Sequence, residues 1–196
     1  MERKHDKLVV VDIDGVLADF VGAICAFLNS RQGKYKYTVE DFTDYEICNC
    51  LKKGDRLHFD MAPFNPNFVY NIRRYDGAQD FIRELSKFFD IILITAPWKG
   101  PYHTQARQEW VESFLSPKWA KNIDFQWVTA DERVYMPGDL LIEDNLVTAL
   151  KWSKLGKKAI VFDRPWNRGP IYGEHKTLSR GTNYRDILDL AIGWLK

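Results

Sequence analysis

Asp12 and Asp14 stand two residues apart, directly after the apolar run Leu8-Val9-Val10-Val11 and directly before Gly15. In extended backbone, residues two apart share a face. Both carboxylates would then look into one space, where they repel unless a cation or a shared proton compensates them. A bare Asp-x-Asp fits a solvated turn equally well. What argues against the turn is repetition. Glu143 and Asp144 follow Leu140-Leu141-Ile142, and Thr95 follows Ile91-Ile92-Leu93-Ile94. Three apolar runs thus end in acids or a hydroxyl. Three or four carboxylates meeting at one place call for a hard divalent cation with oxygen ligands, and magnesium (Mg²⁺) fits best. Thr95 has two readings, a cap for the segment that follows or a hydrogen-bond donor to an oxyanion beside Asp12.

Positioning those groups requires strands whose carboxyl ends converge. Short β-branched runs bounded by polar residues read as buried strands of a parallel sheet. They are expected at residues 8–12, 91–95, 123–129, 140–142 and 158–163, the last taken as the final core strand. In an open α/β sheet ligands sit beyond the carboxyl ends of such strands. Apolar periodicity predicts helices at 20–28, 78–89, 102–115, 146–155 and 184–195, with residues 29–33 ending the first. Gly156 ends the fourth. The order gives an α/β fold, a doubly wound, mostly parallel sheet. Between Phe20 and Arg74 no strand alternation appears. Thr38 and Asp41 nearly form a capping box, and Pro63 and Pro66 break the pattern. This stretch is expected to be a small helical cap inserted after the first strand, with residues 1–19 and 75–196 forming the core. Arg164-Pro165-Trp166-Asn167-Arg168-Gly169-Pro170 is a polar aromatic loop that either borders a bound substrate or covers the sheet.

Asp12-Ile13-Asp14-Gly15-Val16-Leu17-Ala18-Asp19-Phe20 resembles the first motif of the haloacid dehalogenase-like phosphatases, and more narrowly that of the 5'(3')-deoxyribonucleotidase family. The resemblance implies a phosphomonoesterase in which Asp12 is the nucleophile and Asp14 the general acid and base. Mg²⁺ would be held by Asp12, Asp144 and the backbone carbonyl of Asp14, with Glu143 binding outer-shell water or tuning the site. It places Thr95 in the second motif, as a phosphate contact. Ala96 stands where related nucleotidases carry Ser. The third motif of the family is a Lys, and none lies between Asp124 and Glu143. Arg133 is the nearest cation there, and Lys99 and Arg107 come near the phosphate if the family register holds. The cap of the family supplies much of the nucleoside pocket, which makes Phe20, Phe42, Tyr45, Phe68 and Tyr70 candidates. For each singly, core packing is the competing role.

The expected substrate is a small phosphomonoester, first a (deoxy)nucleoside monophosphate and second a sugar phosphate. A non-catalytic phosphate-binding module is the alternative from another class, since fold alone never fixes function. A net charge of +1 argues against stable nucleic-acid binding. No run of 18 apolar residues suggests a membrane span, and the basic N-terminus does not read as a signal peptide. The three cysteines, Cys25, Cys48 and Cys50, suit a reducing cytoplasm better than a disulfide framework. A homodimer is left open.

Overall fold

The computed structural model describes residues 4–31, 35–169 and 176–196. The expected stop at residues 32–33 and the loop residue Pro170 lie outside them. Six strands form one sheet: β1 (Leu8–Asp12), β2 (Asp90–Thr95), β3 (Ile123–Trp127), β4 (Leu140–Glu143), β5 (Lys158–Phe162) and β6 (Leu178–Gly181). Their order is β3-β2-β1-β4-β5-β6, and every pairing is parallel. Five strands match expectation. β6 corrects it, because β5 is not the last. The four residues of β6, Leu-Ser-Arg-Gly, carry one large apolar side chain at a sheet edge, so no apolar run announces them.

Strand alternation sorts the apolar side chains into two cores. Val9, Val11, Ile91, Leu93, Leu140, Ile142, Ile160 and Phe162 face one, and Leu8, Val10, Ile92, Ile94, Leu141, Ala159 and Val161 face the other. On the first face lie α1 (Phe20–Ser30), α5 (Ala78–Leu85), α6 (His103–Phe114) and α8 (Tyr184–Leu195). The second face is covered by α7 (Leu146–Lys154) through Ala149 and Trp152. Burial on both faces explains why the central strands read as continuous apolar runs. α5 stops at Leu85, so Phe88 and Phe89 pack from the turn beyond it rather than from the helix.

From Phe20 to Val69 the described residues form only α1, α2 (Ile47–Cys50), α3 (Arg56–Met61), α4 (Pro66–Val69) and short 3-10 turns. Thr38 opens one of these turns, its N–H and Oγ1 donating to Asp41 Oδ2 at 2.7 and 2.9 Å. Asp19 caps α1 by accepting from the Gly22 N–H at 2.9 Å. The two ends of this helical stretch are pinned together. Asp19 N–H donates to Arg73 O at 2.8 Å, and Tyr75 N–H donates to Leu17 O at 2.9 Å. The helices therefore hang on a short neck beside the carboxyl end of β1. No described helix is long and apolar enough to cross a membrane.

Candidate active site

β1 delivers Asp12 and β4 delivers Glu143 at their last residues, with Asp144 one position beyond. All three are buried, and one oxygen of each lies within 4.8 Å of the others. Arg133, on a 3-10 turn (Arg133–Tyr135) before β4, reaches this cluster from the side. Its Nη1 donates to Asp12 Oδ2 at 2.8 Å and to Glu143 Oε2 at 3.1 Å. Glu143 Oε1 accepts the backbone N–H groups of Asp144 and Asn145, both at 3.2 Å. Asp144 Oδ2 accepts from the indole Nε1–H of Trp166 at 2.9 Å. Gly15 has a φ of 77°, and a Cβ there would overlap the Asp144 carboxylate. Only glycine lets the turn pass so close.

Asp14 turns to a different set of partners. Thr95, the last residue of β2, donates from Oγ1 to Asp14 Oδ2 at 3.0 Å. The buried Arg107 guanidinium on α6 pairs with Asp14 Oδ1. The structure thus brings Asp12, Asp14, Thr95, Arg133, Glu143 and Asp144 together, with Arg107 beside them. It leaves Lys99 exposed and off the walls of the cavity above these groups.

That cavity is about 360 Å³, with Asp12, Asp14, Asp144 and Arg133 on its floor. Phe20, Phe42, Tyr45, Phe59, Trp98 and His103 form much of its wall. Phe20 and Phe59 meet the Trp98 ring at 5.1 and 5.8 Å. Phe68 stands behind this wall instead of on it, edge-on to Phe20 and Trp98 at 6.0 and 5.7 Å. Tyr70 lies outside the cavity as well. Phe59 and Trp98 escape sequence reasoning, because an aromatic in a short helix or a loop carries no periodic signal, and His103 escapes it as the first residue of α6. His103 Nδ1 accepts the Trp98 N–H at 3.2 Å, and burial lowers its pKa, so the ring is neutral.

Buried polar atoms without partners are rare in folded proteins and mark places where a ligand belongs. Asp12 Oδ1 has none among the described residues, and neither have the donors Arg133 Nε and Arg107 Nη1. Of these residues Asp12 and Arg133 line the cavity, and an unpartnered acceptor beside an unpartnered donor suits a cation and an anion bound together. Burial pushes the Asp12 carboxyl well above its ordinary range. It pushes Glu143 up to about 7, against the pull of Arg133, and Asp144 up to about 7, with help from the Asp12 charge. Asp12 and Asp144 are the groups that could hold a hard cation, since the Glu143 oxygens are occupied by Arg133 and two backbone N–H groups.

A carboxyl whose folded pKa is raised stabilises the fold while it is protonated, and that contribution disappears as pH rises through the folded value. The metal-free protein is therefore expected to lose stability from Glu143 and Asp144 between about pH 4, where the unfolded carboxyls ionise, and about pH 7. A bound cation displaces those protons, so the increase in Tm produced by Mg²⁺ should be larger at pH 8 than at pH 6. Calorimetric scans with Mg²⁺ and with chelator at both values check this. An equal increment at the two values would remove Asp144 as a ligand.

The family model described as 5' nucleotidase, deoxy (pyrimidine), cytosolic type C protein matches residues 6–193. The human cytosolic-type 5'(3')-deoxyribonucleotidase is 28% identical over 194 residues, covering 94% of each chain. The 5'(3')-deoxyribonucleotidase of Bacillus subtilis is 23% identical over 164 residues, 83% of this chain and 88% of the relative. Among solved structures, a haloacid dehalogenase-like hydrolase of Streptococcus pneumoniae superposes with a TM-score of 0.57 at 12% identity, over 94% of this chain and 98% of that one. A haloacid dehalogenase-type hydrolase of Bacillus subtilis, solved bound to magnesium, gives 0.55 at 16% identity, over 95% and 99%. These two show the fold alone. Since the family model spans nearly the whole chain, the protein belongs to the family of cytosolic type C deoxy (pyrimidine) 5' nucleotidases, built on the haloacid dehalogenase fold.

Proposed function

We propose that this protein is a Mg²⁺-dependent phosphomonoesterase that hydrolyses (deoxy)nucleoside monophosphates. The observation that carries the reading is the buried, unpartnered Oδ1 of Asp12, set beside the Glu143 and Asp144 carboxylates at an aromatic-walled cavity. Aromatic walls suit a planar base. The floor suits the phosphate, through Arg133, with Arg107 behind it on Asp14. The name of the human relative supports the nucleotide class of substrate.

Asp12 attacks phosphorus in line, forming an aspartyl-phosphate while the bond to the leaving oxygen breaks. Asp14 donates its proton to that oxygen, and then accepts one from the water that attacks phosphorus in the second half-reaction. Phosphate leaves and Asp12 is regenerated. Arg107 compensates the charge left on Asp14 after it has given its proton. Thr95 holds the Asp14 carboxyl and aims it, and Arg133 stabilises charge on the equatorial oxygens. Glu143 positions Arg133. The side chains of Asp12 and Asp144, with the Asp14 carbonyl, would hold Mg²⁺. The ion supplies charge neutralisation, so that an anionic nucleophile can approach an anionic phosphate. The helices of residues 20–74 act as a cap over a core of residues 1–19 and 75–196.

Purified protein tested with Mg²⁺ against deoxynucleoside 5'- and 3'-monophosphates, sugar phosphates and p-nitrophenyl phosphate decides the substrate class. A kcat/KM at least about tenfold higher for nucleotides than for sugar phosphates is expected from the aromatic wall, since a stacked base contributes about 1–3 kcal/mol. A flat profile would reassign the protein as a general phosphatase. No phosphate release from any of them would leave a non-catalytic binding module.

A further inference from the structure

The loop after β5 does more than cover the sheet. Trp166 is buried, lines the cavity, and gives its indole N–H to Asp144 Oδ2. Next to it, Asn167 Nδ2 donates to the backbone carbonyls of Asp144 and Phe162 at 2.7 and 2.8 Å. Arg180 on β6 fixes that asparagine in turn, with Nη2 donating to Asn167 O at 2.7 Å. Two residues before Trp166, Arg164 Nε donates to Gly15 O at 2.6 Å, and its guanidinium lies over the Tyr75 and Phe162 rings, 4.0 Å from each. One short loop thus grips the Asp144 side chain, the Asp144 backbone and the Gly15 turn.

The grip on the side chain has a directional consequence. A carboxylate that accepts a hydrogen bond at one oxygen cannot rotate freely about its last torsion. Asp144 Oδ2 is held by the indole at 2.9 Å. Partners of metal-ligating groups fix the orientation of the ligand and tune its affinity, and losing one typically lowers metal affinity or activity about 10–100-fold. We infer that Trp166 is a positioning residue, holding the Asp144 carboxylate in the rotamer that presents an oxygen to the divalent cation. The inference rests on the proposed reading of Asp144 as a metal ligand. It also settles what the Pro-Trp-Asn segment is for. A Trp is the one residue that can seal the cavity wall with apolar area and still supply a single N–H at a buried carboxylate.

Trp166→Phe keeps an aromatic ring and removes the donor. Titration calorimetry of the metal-free proteins with Mg²⁺, and with Mn²⁺, should show a dissociation constant about tenfold higher for the variant. Phosphatase activity should return to within about twofold of wild type once Mg²⁺ is raised by the same factor, a rescue that a merely structural defect would not allow. Equal affinity in a variant that keeps its circular dichroism and Tm would overturn the positioning role while leaving Asp144 as a ligand. Failure of the wild type to bind either cation would overturn both. If the variant does not fold, the wild type alone decides. The indole N–H resonance of Trp166, assigned through its own backbone, should shift on Mg²⁺ addition more than that of Trp152, which is buried in the opposite core. No shift at Trp166 on saturation with Mg²⁺ would overturn the role.

Discussion

Asp12→Asn is expected to lower phosphate release from a deoxynucleoside monophosphate by about 10⁴-fold or more, with KM changing far less. Removal of a nucleophile that works as part of a unit commonly has effects of this size, because the remaining groups have no covalent step to assist. The structure sharpens the expectation. On the proposed mechanism the attacking oxygen is Oδ1, since Asp12 Oδ2 is bound to Arg133 and Oδ1 faces no protein donor among the described residues. Asn preserves the size of the side chain and its buried position, so substrate binding at the aromatic wall should survive. The amide cannot act as a carboxylate nucleophile, and it places either an N–H₂ or a weaker acceptor opposite Arg133. Steady-state assays with p-nitrophenyl phosphate and with a deoxynucleotide check both halves of the statement. Loss of less than about tenfold would remove Asp12 as the attacking group, since no general acid–base defect or ordinary packing change is then needed to explain it. Acid-quenched protein from a labelled substrate should carry phosphate on wild type and none on the variant.

How much of this site was legible in the sequence follows from how each residue is held. Asp12, Asp14, Thr95, Glu143 and Asp144 are visible because they end apolar runs, and a run that stops abruptly on a polar group marks a strand end. Gly15 is visible for a related reason, as a break in side-chain volume at a sharp turn. Arg133 is visible only by elimination, as the nearest cation where the family pattern has a Lys. Its burial between Asp12 and Glu143 has no sequence signal, because a short 3-10 turn has no periodicity to read. Trp166 is harder still. A loop aromatic looks like a cover for the sheet, and only the three-dimensional return of residue 166 to residue 144 turns it into a hydrogen-bond donor. Lys99 shows the reverse case, since the register of a resembled family does not turn a side chain inward, and here it is exposed and off the cavity wall. Phe68 and Phe20 are equally aromatic in the sequence. Only packing decides that Phe20 faces the cavity while Phe68 supports it from behind.

Arg133→Met should strike folding as hard as Asp12→Asn strikes turnover. Among the described residues, Arg133 is the cation paired with both Asp12 and Glu143, and all three side chains are at most 5% exposed. Met fills much of the same volume with apolar atoms, yet it leaves three buried carboxyls facing one another without a positive charge. Removing one partner of a buried charged group generally destabilises by about 3–5 kcal/mol, because the remaining charges stay desolvated. In a protein of ordinary stability that is a large fraction of the total, and a fall in Tm of roughly 10 °C is expected in chelator. The loss should be smaller at pH 6 than at pH 8, since protonation of Glu143 and Asp144, each already raised to about 7, relieves the repulsion. Arg133→Lys keeps the charge without the planar fork and should recover most of the Tm but less of the activity. Adding Glu143→Gln to Arg133→Met tests the pairing itself. If Glu143 is there to hold Arg133, the double variant is more stable than Arg133→Met alone, a coupling that denaturant titrations of the four proteins measure directly. An Arg133→Met protein whose Tm lies within about 2 °C of wild type at pH 8 in chelator, well short of the roughly 10 °C expected, would mean that the carboxyl cluster is neutralised by its own protons rather than by this guanidinium.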